Sequence, residues 1–381
     1  SDQNNMKFLL IYVPNLRFSS FADPFRIYTL KEVLQRISFP VTVDENKLYY
    51  QIGIRSHSKG IFYKEAEIGK QIGNKRIFWI EPNCLILNIV FAWEQAVAKT
   101  SEKEVGMVAS HRFPMYKVLN NSLDYIVDFF KTEKGKQLLQ MASPGGAGRN
   151  KTLNQDFFLN SKIYLPSLNE QLKTTELIEL IEDRIETQIK IIDTLSSQKK
   201  QIRNLIFKDI HKNANCCIQD YVIYEQPQKY IVHSTDYLSY GKDYTPVLTA
   251  NQSFILGYTL EKDGIYEKGD CIIFDDFTNE NKYVDFPFKV KSSALKILQT
   301  KEGLMLKFFY EYLQFLNFES TDHKRHYLSE VAVTDISVPN LKEQTFVCKI
   351  FTSFDNKLKN EEALLEKYRL QKQFFLNNLF I

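Results

Sequence analysis

Two segments of the chain that contain neither glycine nor proline have apolar side chains at six of eight positions spaced by alternating steps of four and three, and the two polar positions match between the segments. The first segment runs from Glu170 to about Phe207, and the second lies 173 positions later, the distance from Leu165 to Val338. This spacing is typical of a coiled-coil seam, because an ordinary amphipathic face is wider and drifts with the 3.6-residue helical period. The predicted seam consists of Ile181, Ile185, Ile192, Leu195 and Ile202 in the first segment and Phe354, Leu358, Leu365, Tyr368 and Phe375 in the second.

A short motif stands immediately before each of these segments. It reads LPSLNEQ at Leu165–Gln171 and VPNLKEQ at Val338–Gln344. The Pro of each copy disfavours helix before it, and Ser167 with Glu170, like Asn and Glu in the second copy, has the spacing of a capping box. The repeat therefore predicts an internal duplication, in which each of two globules is followed by a long helix.

Two arrangements of the long helices are open at this point. If their seams pair antiparallel, the halves of the chain are related by a pseudo-two-fold axis; alternatively, each helix packs separately on its own globule. The narrow stripe favours the paired arrangement. The predicted regions are residues 1–162 (first globule), 163–211 (first helical spacer), 212–335 (second globule) and 336–381 (second helical spacer).

Each globule mixes strand-like and helical patterns, so the predicted fold class is α+β, with two α/β globules separated by the two helices. In the first globule, the predicted strands are Lys7–Val13, Leu48–Ile54, Arg76–Ile80 and Cys84–Trp93, and the predicted helix is Leu123 to about Met141. In the second, the predicted strands lie within Pro246–Thr259 and Cys271–Thr278, and the predicted helix is Leu304–Leu316.

Composition narrows the functional classes. A chain of 381 residues has room for two cores, and a net charge of +3 permits nucleic-acid binding without requiring it. The five cysteines include no CxxC pair, which argues against a disulfide framework or a zinc site and fits a reducing cytoplasm. The most apolar window, Cys84–Trp93, is about half the length that a membrane span needs.

Catalytic patterns are missing from the sequence. The Gly-rich stretch Ser143–Lys151 lacks the GK[ST] ending of a phosphate-binding loop, and no GxGxxG occurs. His233, with Ser234 and Asp236 beside it, is too local for a catalytic triad. Asp275 and Asp276 are adjacent, so on a strand they would point to opposite faces. We therefore predict no catalytic and no metal-binding residue.

Basic and amide side chains in several loops could instead contact nucleic acid. Arg and Lys suit guanine and phosphate, and Asn and Gln suit adenine, although each segment alone also fits a plain solvated loop. The predicted DNA-binding residues of the first globule are Arg55, His57, Lys59, His111, Arg112, Gly145, Gly146, Arg149 and Lys151. Those of the second globule are Thr249, Asn251, Gln252, Lys289, Lys291, Ser292, Ser293, Lys324, Arg325 and His326.

The chain resembles the specificity subunit of type I DNA restriction-modification systems. The resemblance covers nearly the whole chain and rests on the repeated motif, on the helix ends QKKQIRNLIF and LQKQFFLNNLF, and on the segments PVLTANQSFILGYT, IIFDDFT and FPFKVKSSA. It implies two target recognition domains held apart by an antiparallel coiled coil, each domain reading one half of a split DNA target. The second helix departs from the pattern by its richness in Phe, so a docking role transfers less securely to it.

The resemblance further implies a non-catalytic subunit whose partners are double-stranded DNA, two modification subunits and restriction subunits. S-adenosylmethionine is expected on the modification subunits, which methylate adenine, and no cofactor on this chain. A helix of about 33 residues is roughly 50 Å long, which suits half-sites separated by unread base pairs. The unlike globules predict an asymmetric target. The alternatives are a coiled-coil scaffold whose globules bind other proteins and, last, an enzyme in its own right.

Overall fold

The computed structural model describes residues 13–145, 151–238, 241, 243–250, 253–318 and 325–381. The chain divides into two compact units, one made of Ser1–Gln188 with Leu364–Ile381 and the other of Ile189–Ala363. Two long helices, Leu168–His211 and Leu341–Leu379, each contribute one part to either unit. Within the described residues, no helix is both long and apolar enough to cross a membrane.

The first unit is built on a four-stranded antiparallel sheet. Its strands are β1 (Arg26–Thr29), β2 (Leu34–Ile37), β3 (Leu48–Tyr49), β4 (Ile52–Ile54), β5 (Ile61–Tyr63), β6 (Glu67–Ile68), β7 (Ile77–Trp79), β8 (Leu85–Leu87), β9 (Val97–Lys99), β10 (Val108–Ser110), β11 (Met115–Val118) and β12 (Lys162–Leu165). Its helices are α1 (Leu30–Val33), α2 (Gly69–Ile72), α3 (Leu123–Lys131), α4 (Glu133–Met141), α5 (Gln155–Asn160) and the first part of α6 (Leu168–His211). The sheet order is β2-β11-β8-β9, and β1 pairs with β12, β7 with β10, β3 with β6 and β4 with β5.

The second unit has a sheet of the same size. Its strands are β13 (Cys216–Cys217), β14 (Val222–Glu225), β15 (Thr245–Leu248), β16 (Ile255–Thr259), β17 (Cys271–Asp275), β18 (Asn281–Val284), β19 (Lys289–Val290), β20 (Leu295–Thr300) and β21 (Asp335–Ile336). Its helices are α7 (Ile218–Tyr221), α8 (Leu306–Leu316) and the first part of α9 (Leu341–Leu379). The sheet order is β14-β20-β17-β18, and a second sheet has the order β16-β15-β19.

The two units repeat one order of elements. In each, a two-stranded pair (β1 with β12, β13 with β21) leads through a one-turn helix to the edge strand of the four-stranded sheet. The neighbour of that edge strand, β11 or β20, is then followed by the main helix of the globule, α3 or α8. The predicted α+β class, with two globules and two long helices, is confirmed.

Two predicted elements are shorter than the sequence pattern suggested. The helix predicted from Leu123 to Met141 is broken at Thr132, whose extended backbone ends α3 and whose hydroxyl accepts a hydrogen bond from Gly135 N as the cap of α4. The strand predicted over Cys84–Trp93 ends at Leu87, because the chain then turns. Apolar character alone therefore overestimated both elements.

In each unit the two long helices run in opposite directions. In the first unit, Glu182 of α6 forms an ion pair with Lys372 of α9. In the second, Lys199 of α6 pairs with Asp355, and further along α6 the ring of Phe207 lies 6.2 Å from that of Phe351. The residue numbers of the partners on α9 thus decrease as the residue numbers on α6 increase, which is the order of an antiparallel pair.

The covered face of each long helix follows the predicted seam. Every predicted seam residue is buried or half-buried, and most positions between them are exposed. The first hydrophobic core includes Ile178 of α6 with Leu376 and Leu379 of α9, packed with residues of the sheet and α3. The second includes Phe207 of α6 and Phe351 of α9 in the same way. The long helices are therefore part of the core of both units.

A buried glutamine of the repeated motif joins each long helix to the main helix of its globule. Gln171 Oε1 accepts a hydrogen bond from the backbone N–H of Ser122, the N-cap of α3, at 2.9 Å. Its Nε2 donates to Asn121 Oδ1 at 2.8 Å and to Pro166 O at 3.0 Å. Gln171 is 1% exposed, and its bonds to Ser122 and Pro166 are buried, where a hydrogen bond is stronger than in water.

Gln344 repeats this arrangement in the second unit. Its Oε1 accepts from the N–H of Met305, the N-cap of α8, at 2.8 Å, and its Nε2 donates to Gly303 O and to Pro339 O, both at 2.8 Å. The last residue of the LPSLNEQ and VPNLKEQ motifs thus satisfies an N-terminal N–H of the neighbouring helix that has no partner within that helix.

The capping boxes predicted in the two motif copies differ. Asn340 and Glu343 form the reciprocal pair, with bonds of 3.3 Å and 3.0 Å. In the first copy, Ser167 accepts from Glu170 N, but the Glu170 carboxylate turns to Arg17, which donates two hydrogen bonds of 2.7 Å to it. The first box is therefore half formed, because a bidentate guanidinium is the stronger partner for a buried carboxylate.

A cluster of four charges links both long helices to α3 in the first unit. Glu182 pairs with Lys372 and, at 3.5 Å, with Lys131, which also contacts the buried Asp128 at 2.7 Å. Burial lowers the pKa of Lys131, but Asp128 and Glu182 outweigh this and raise it. The two lysines likewise hold the pKa of Glu182 below its usual value against the effect of burial.

The second unit carries an equivalent cluster. Asp355 pairs with Lys199 and Lys307, and both lysines also reach Glu311, at 3.1 Å and 3.2 Å. Glu311 is fully buried and receives two further hydrogen bonds from Arg203. Asp355 has a lowered pKa because its two lysines outweigh the opposing effect of burial.

The clusters occupy matching places in the duplicated sequence. Adding 173 to Glu182 gives Asp355, and adding it to Lys199 gives Lys372. Asp128 and Glu311 each lie six residues beyond the N-cap of α3 or α8. The duplication has therefore preserved a set of charges as well as an apolar seam.

We expect Gln171→Ala and Gln344→Ala each to lower the free energy of unfolding by about 2–3 kcal/mol, because each leaves buried backbone groups without a partner. Chemical denaturation of the full chain measures this. Gln201→Ala, at an exposed position of α6, is the matched control and should stay within about 0.5 kcal/mol. Equal effects of all three changes would contradict the anchoring role.

We expect the stability of the chain to fall below about pH 4 as Glu182 and Asp355 become protonated. A folded-state pKa below the unfolded value contributes stability above the unfolded pKa, and this is lost as pH falls through the folded value. Glu182→Gln with Asp355→Asn should flatten that decline and cost less than about 1 kcal/mol per site at neutral pH, since both side chains are over one third exposed. Unfolding curves between pH 3 and 7 test this; Glu179→Gln with Glu362→Gln, at exposed positions, should leave the decline intact.

Candidate nucleic-acid interface

A tight turn after β8 organises the candidate surface of the first unit. The Asn88 side chain accepts a hydrogen bond from Val90 N, and a short 3-10 helix, Ala92–Glu94, follows. Gln95 then adopts a left-handed conformation with φ 58° and donates through Nε2 to the carbonyls of Phe130 and Thr132. These bonds fix the turn against the junction of α3 and α4.

The predicted Arg55–Lys59 loop is bonded to this turn. His57 N donates to Glu94 O at 2.6 Å, Ser58 N donates to Gln95 O at 3.0 Å, and Ser56 Oγ donates to the Glu94 carboxylate at 2.8 Å. His57 and Ser58 both have positive φ, of 58° and 54°. Consecutive non-glycine residues in this region cost free energy, and such strain is concentrated at functional loops.

Two further predicted segments meet the same stretch of chain. Lys151 Nζ lies 4.8 Å from the centre of the Trp93 ring, a cation–π contact. Ile89 N donates to Arg112 O at 3.0 Å, and Leu153 N donates to Ile89 O at 2.8 Å. We call the group assembled on Ile89–Gln95 the first basic surface; it comprises Arg55, His57, Lys59, His111, Arg112 and Lys151, five of them exposed and Lys151 half-buried.

The second unit brings its own predicted segments together at the ends of two parallel strands. β15 and β19 pair in parallel, so Thr249 and Lys291 leave neighbouring strands in the same direction, and Lys291 N donates to Leu248 O. Asp276 joins the next segment, since its N–H donates to Ala294 O and its carbonyl accepts from His326 N. The second polar surface comprises Thr249, Lys291, Ser292, Ser293 and Arg325, whose side chains are exposed or half-buried.

Two predicted DNA-binding residues are held inside the second unit instead. The Lys289 side chain is fully buried, pairs with the Glu261 carboxylate at 2.7 Å and donates to Asp263 O at 2.7 Å. His326 is 2% exposed and lies 3.0 Å from the Glu330 carboxylate. Their polarity suggested a surface role, but the structure uses their charge and hydrogen-bonding capacity internally, and we leave both out of the proposed interface.

Some predicted residues lie outside the described part of the chain. These are Gly146, Arg149, Asn251, Gln252 and Lys324. Gly145 is described and is exposed just after α4. The predicted strand Lys7–Val13 also falls outside it, apart from Val13.

Residues that could have carried chemistry have structural partners. Asp275 accepts hydrogen bonds from the N–H groups of Phe277 and Thr278, which closes a turn, and Asp276 accepts from Tyr327 N and pairs with Lys296 at 3.2 Å. All five cysteines are free thiols.

One group of possible metal ligands occurs among the described residues. His233, Glu261 and Asp263 offer ligand atoms within 4.8 Å of one another. The Glu261 carboxylate is already engaged by Lys289 and by the N–H groups of His233 and Ser234. We therefore regard this group as a hydrogen-bonded support for the loop after β16.

Three residues of the first unit were missed by sequence reasoning. Arg36 on β2 and Arg76 before β7 lie at the rim of a cavity with His111, and Trp93 contacts Lys151. Arg36 and Arg76 were passed over because each is a single charge in a strand-like pattern. Trp93 was assigned to an apolar strand, and its place in a turn gave no local signal.

The comparisons with known proteins point to one family. No family model matches the chain. It is 39% identical over 170 residues to the Type I restriction enzyme EcoR124I/EcoR124II specificity subunit of Escherichia coli. That match covers 41% of this chain and 41% of the relative, so the chain spans less than half of that protein in sequence.

Solved structures extend the likeness in fold to nearly the whole chain. The type I restriction-modification S subunit from M. genitalium matches 97% of this chain and 99% of its own, with a TM-score of 0.59 and 14% identity. A chain from a structure of complex assembly and conformational transition of the type I restriction-modification system matches 94% and 99%, with a TM-score of 0.57 and 12% identity.

We expect Lys289→Met to lower the free energy of unfolding by about 3 kcal/mol, at the lower end for a broken buried ion pair because Glu261 keeps some exposure. The matched control is Lys291→Met, which removes the same charge from an exposed lysine two residues later. It should change the free energy of unfolding by less than about 0.5 kcal/mol. Thermal or chemical unfolding of both variants checks this. Similar stabilities for the two variants would show that Lys289 is not held as described.

In sequence over the matched 170 residues, and in fold over almost all of its length, this chain is similar to the specificity subunits of type I restriction-modification systems.

Proposed function

We propose that this chain is the DNA-recognition subunit of a type I restriction-modification complex. Each unit reads one half of a bipartite, asymmetric target in double-stranded DNA, and the long helices carry the assembly with modification and restriction subunits. The observation that carries the proposal is the repeated order of elements in the two units, each with its own basic or polar loop cluster. A fold can serve many functions, and these loop clusters therefore support the proposal more than the fold does.

The first basic surface has the composition that backbone and base contacts require. Exposed Arg55 and Arg112 supply charge for phosphates, and the exposed Lys59 can donate a hydrogen bond to guanine. The strained His57–Ser58 turn is fixed by hydrogen bonds to Glu94 and Gln95, so the loop is held in one conformation before DNA arrives.

The second polar surface has a different chemistry. It offers one lysine, one arginine and three hydroxyl groups, which donate to or accept from any base. The two units share a frame but not their loops, and this supports two different half-sites in one target. Recognition of DNA by one chain with two unlike surfaces accounts for an asymmetric sequence.

We further propose that the chain has no catalytic role. Three described carboxylates that could act as bases or metal ligands, those of Asp275, Asp276 and Glu261, are engaged in a turn or in ion pairs. Methyl transfer would then belong to the modification subunits, which would bind S-adenosylmethionine. This assignment agrees with the structural role of the buried charge clusters, whose ion pairs stabilise the fold of this chain.

The test is a map of methylated adenines in the genome of a host without adenine methylation of its own. That host expresses this chain together with the modification and restriction subunits that adjacent genes encode. We expect one asymmetric, bipartite sequence. His57→Ala with Lys59→Ala should relax only one half of it, and Lys291→Ala with Ser293→Ala only the other, with about 5- to 150-fold loss of discrimination per base contact removed, equivalent to about 1–3 kcal/mol.

Each set is the control for the other, because both remove exposed side chains. Absence of methylation with the complete, folded complex would contradict the proposal and favour a protein-interaction scaffold. Relaxation of both halves by either set would contradict the assignment of one half-site to each unit.

A further inference from the structure

A cavity of about 240 Å³ opens in the first unit beside the first basic surface. Phe78, Phe113 and Met115 are among its apolar lining residues, and Gln155 also lines it. Three cationic or protonatable side chains, those of Arg36, Arg76 and His111, stand exposed around it. No Asp or Glu is among the residues that line it.

The three groups lie on or directly beside strands: Arg36 within β2, and Arg76 and His111 at one end of the β7–β10 pair. Arg36 lies on β2, opposite Tyr116 of β11. Arg76 directly precedes β7, and its carbonyl accepts a hydrogen bond from His111 N at 3.2 Å, where β7 and β10 end their pairing. Backbone hydrogen bonds in or beside strands thus position the main chain at all three residues.

The cationic groups around the cavity have no carboxylate in ion-pair contact. Among the described residues, neither Arg36 nor Arg76 nor His111 forms an ion pair, whereas Arg17 and Arg203 each pair with a glutamate. The side chain of Gln155, which lines the cavity, is held in place because its Oε1 accepts a hydrogen bond from the Tyr116 hydroxyl at 3.2 Å.

The second unit neutralises the equivalent place internally. Tyr224 is the third residue of β14, as Arg36 is of β2. Lys296 lies 4.8 Å from the Tyr224 ring and is paired with Asp276 at 3.2 Å, both charges being buried. The uncompensated cationic cavity is therefore a property of the first unit and not a requirement of the shared frame.

We propose that Arg36, Arg76 and His111 form a subsite for one phosphodiester of the DNA backbone. Two guanidinium groups can donate hydrogen bonds to the non-bridging oxygens of a phosphate, and the apolar lining residues can contact the adjacent sugar. The volume is below the range of pockets that hold drug-sized ligands or cofactors, which favours a single phosphate group over a nucleotide cofactor.

This subsite deepens the proposed function and rests on it. Its link to the recognition surface is direct, because His111 belongs to both and Arg112 O bonds to Ile89, which lines the cavity. A phosphate held here would fix the position of the duplex against the first basic surface without reading sequence.

The test is equilibrium binding of the assembled complex of this chain and its modification subunits to duplex DNA carrying its mapped target, at several salt concentrations. Arg36→Ala with Arg76→Ala should weaken binding about tenfold or more at low salt and reduce the slope of log K against log salt by about 0.9, the value for one phosphate. The methylated sequence should be unchanged. Arg36→Lys with Arg76→Lys keeps the charge and should keep the slope.

Arg26→Ala, at an exposed position of β1 in the same unit, is the matched control and should leave the slope as it is. An unchanged slope in the double Ala variant, while the wild-type complex binds DNA, overturns the subsite. A changed methylation sequence overturns it too, because the arginines would then read bases. Binding of inorganic phosphate lost in the variant without any change in DNA affinity would assign the cavity to a free anion instead. Failure of the wild-type complex to bind DNA would refute the proposed function itself.

Discussion

The buried side chains of Gln171 and Gln344 are the constraint on which the rest of the architecture depends. Each side-chain amide accepts a hydrogen bond from the N-cap N–H of a globule helix. It also donates a hydrogen bond to the proline carbonyl just before a long helix. An amide can do both at once, whereas a carboxylate only accepts and a lysine only donates. Once this joint is made, the start of the long helix is fixed relative to the globule. The charges further along the helix then meet those of α3 or α8.

The fold was largely predictable because its signals are long and periodic. Four-three spacing identified the seam from Ile181 to Phe375, and the Pro-containing motif identified where both long helices begin. A long helix is easier to predict than a short element, because many apolar positions along it agree with the same period. Boundaries decided by one side chain were not predictable. Thr132 breaks the helix predicted from Leu123 because its hydroxyl caps α4, and Glu170 abandons its capping box for Arg17.

The candidate site was predictable only in part, and the reason is tertiary. Basic and polar residues in loops were identified by type, but whether a lysine faces water depends on partners far away in sequence. Lys289 and Lys291 are two residues apart, yet the first is enclosed with Glu261 and the second is exposed. Arg36, Arg76 and His111 come together only because β2 and the separate β7–β10 strand pair meet at one cavity. No local pattern marks such a meeting of strands.

The duplicated charge clusters carry a consequence for the ancestry of the chain. Glu182 on α6 pairs with Lys372 on α9, the counterpart of Lys199 in the repeat, and Lys199 pairs with Asp355, the counterpart of Glu182. A polypeptide of half this length, bearing one such acid and one such lysine, would already be self-complementary, and two copies could associate through an isologous contact. Tandem fusion of its gene would then have required no new pairing, and each recognition loop would have become free to diverge from its twin.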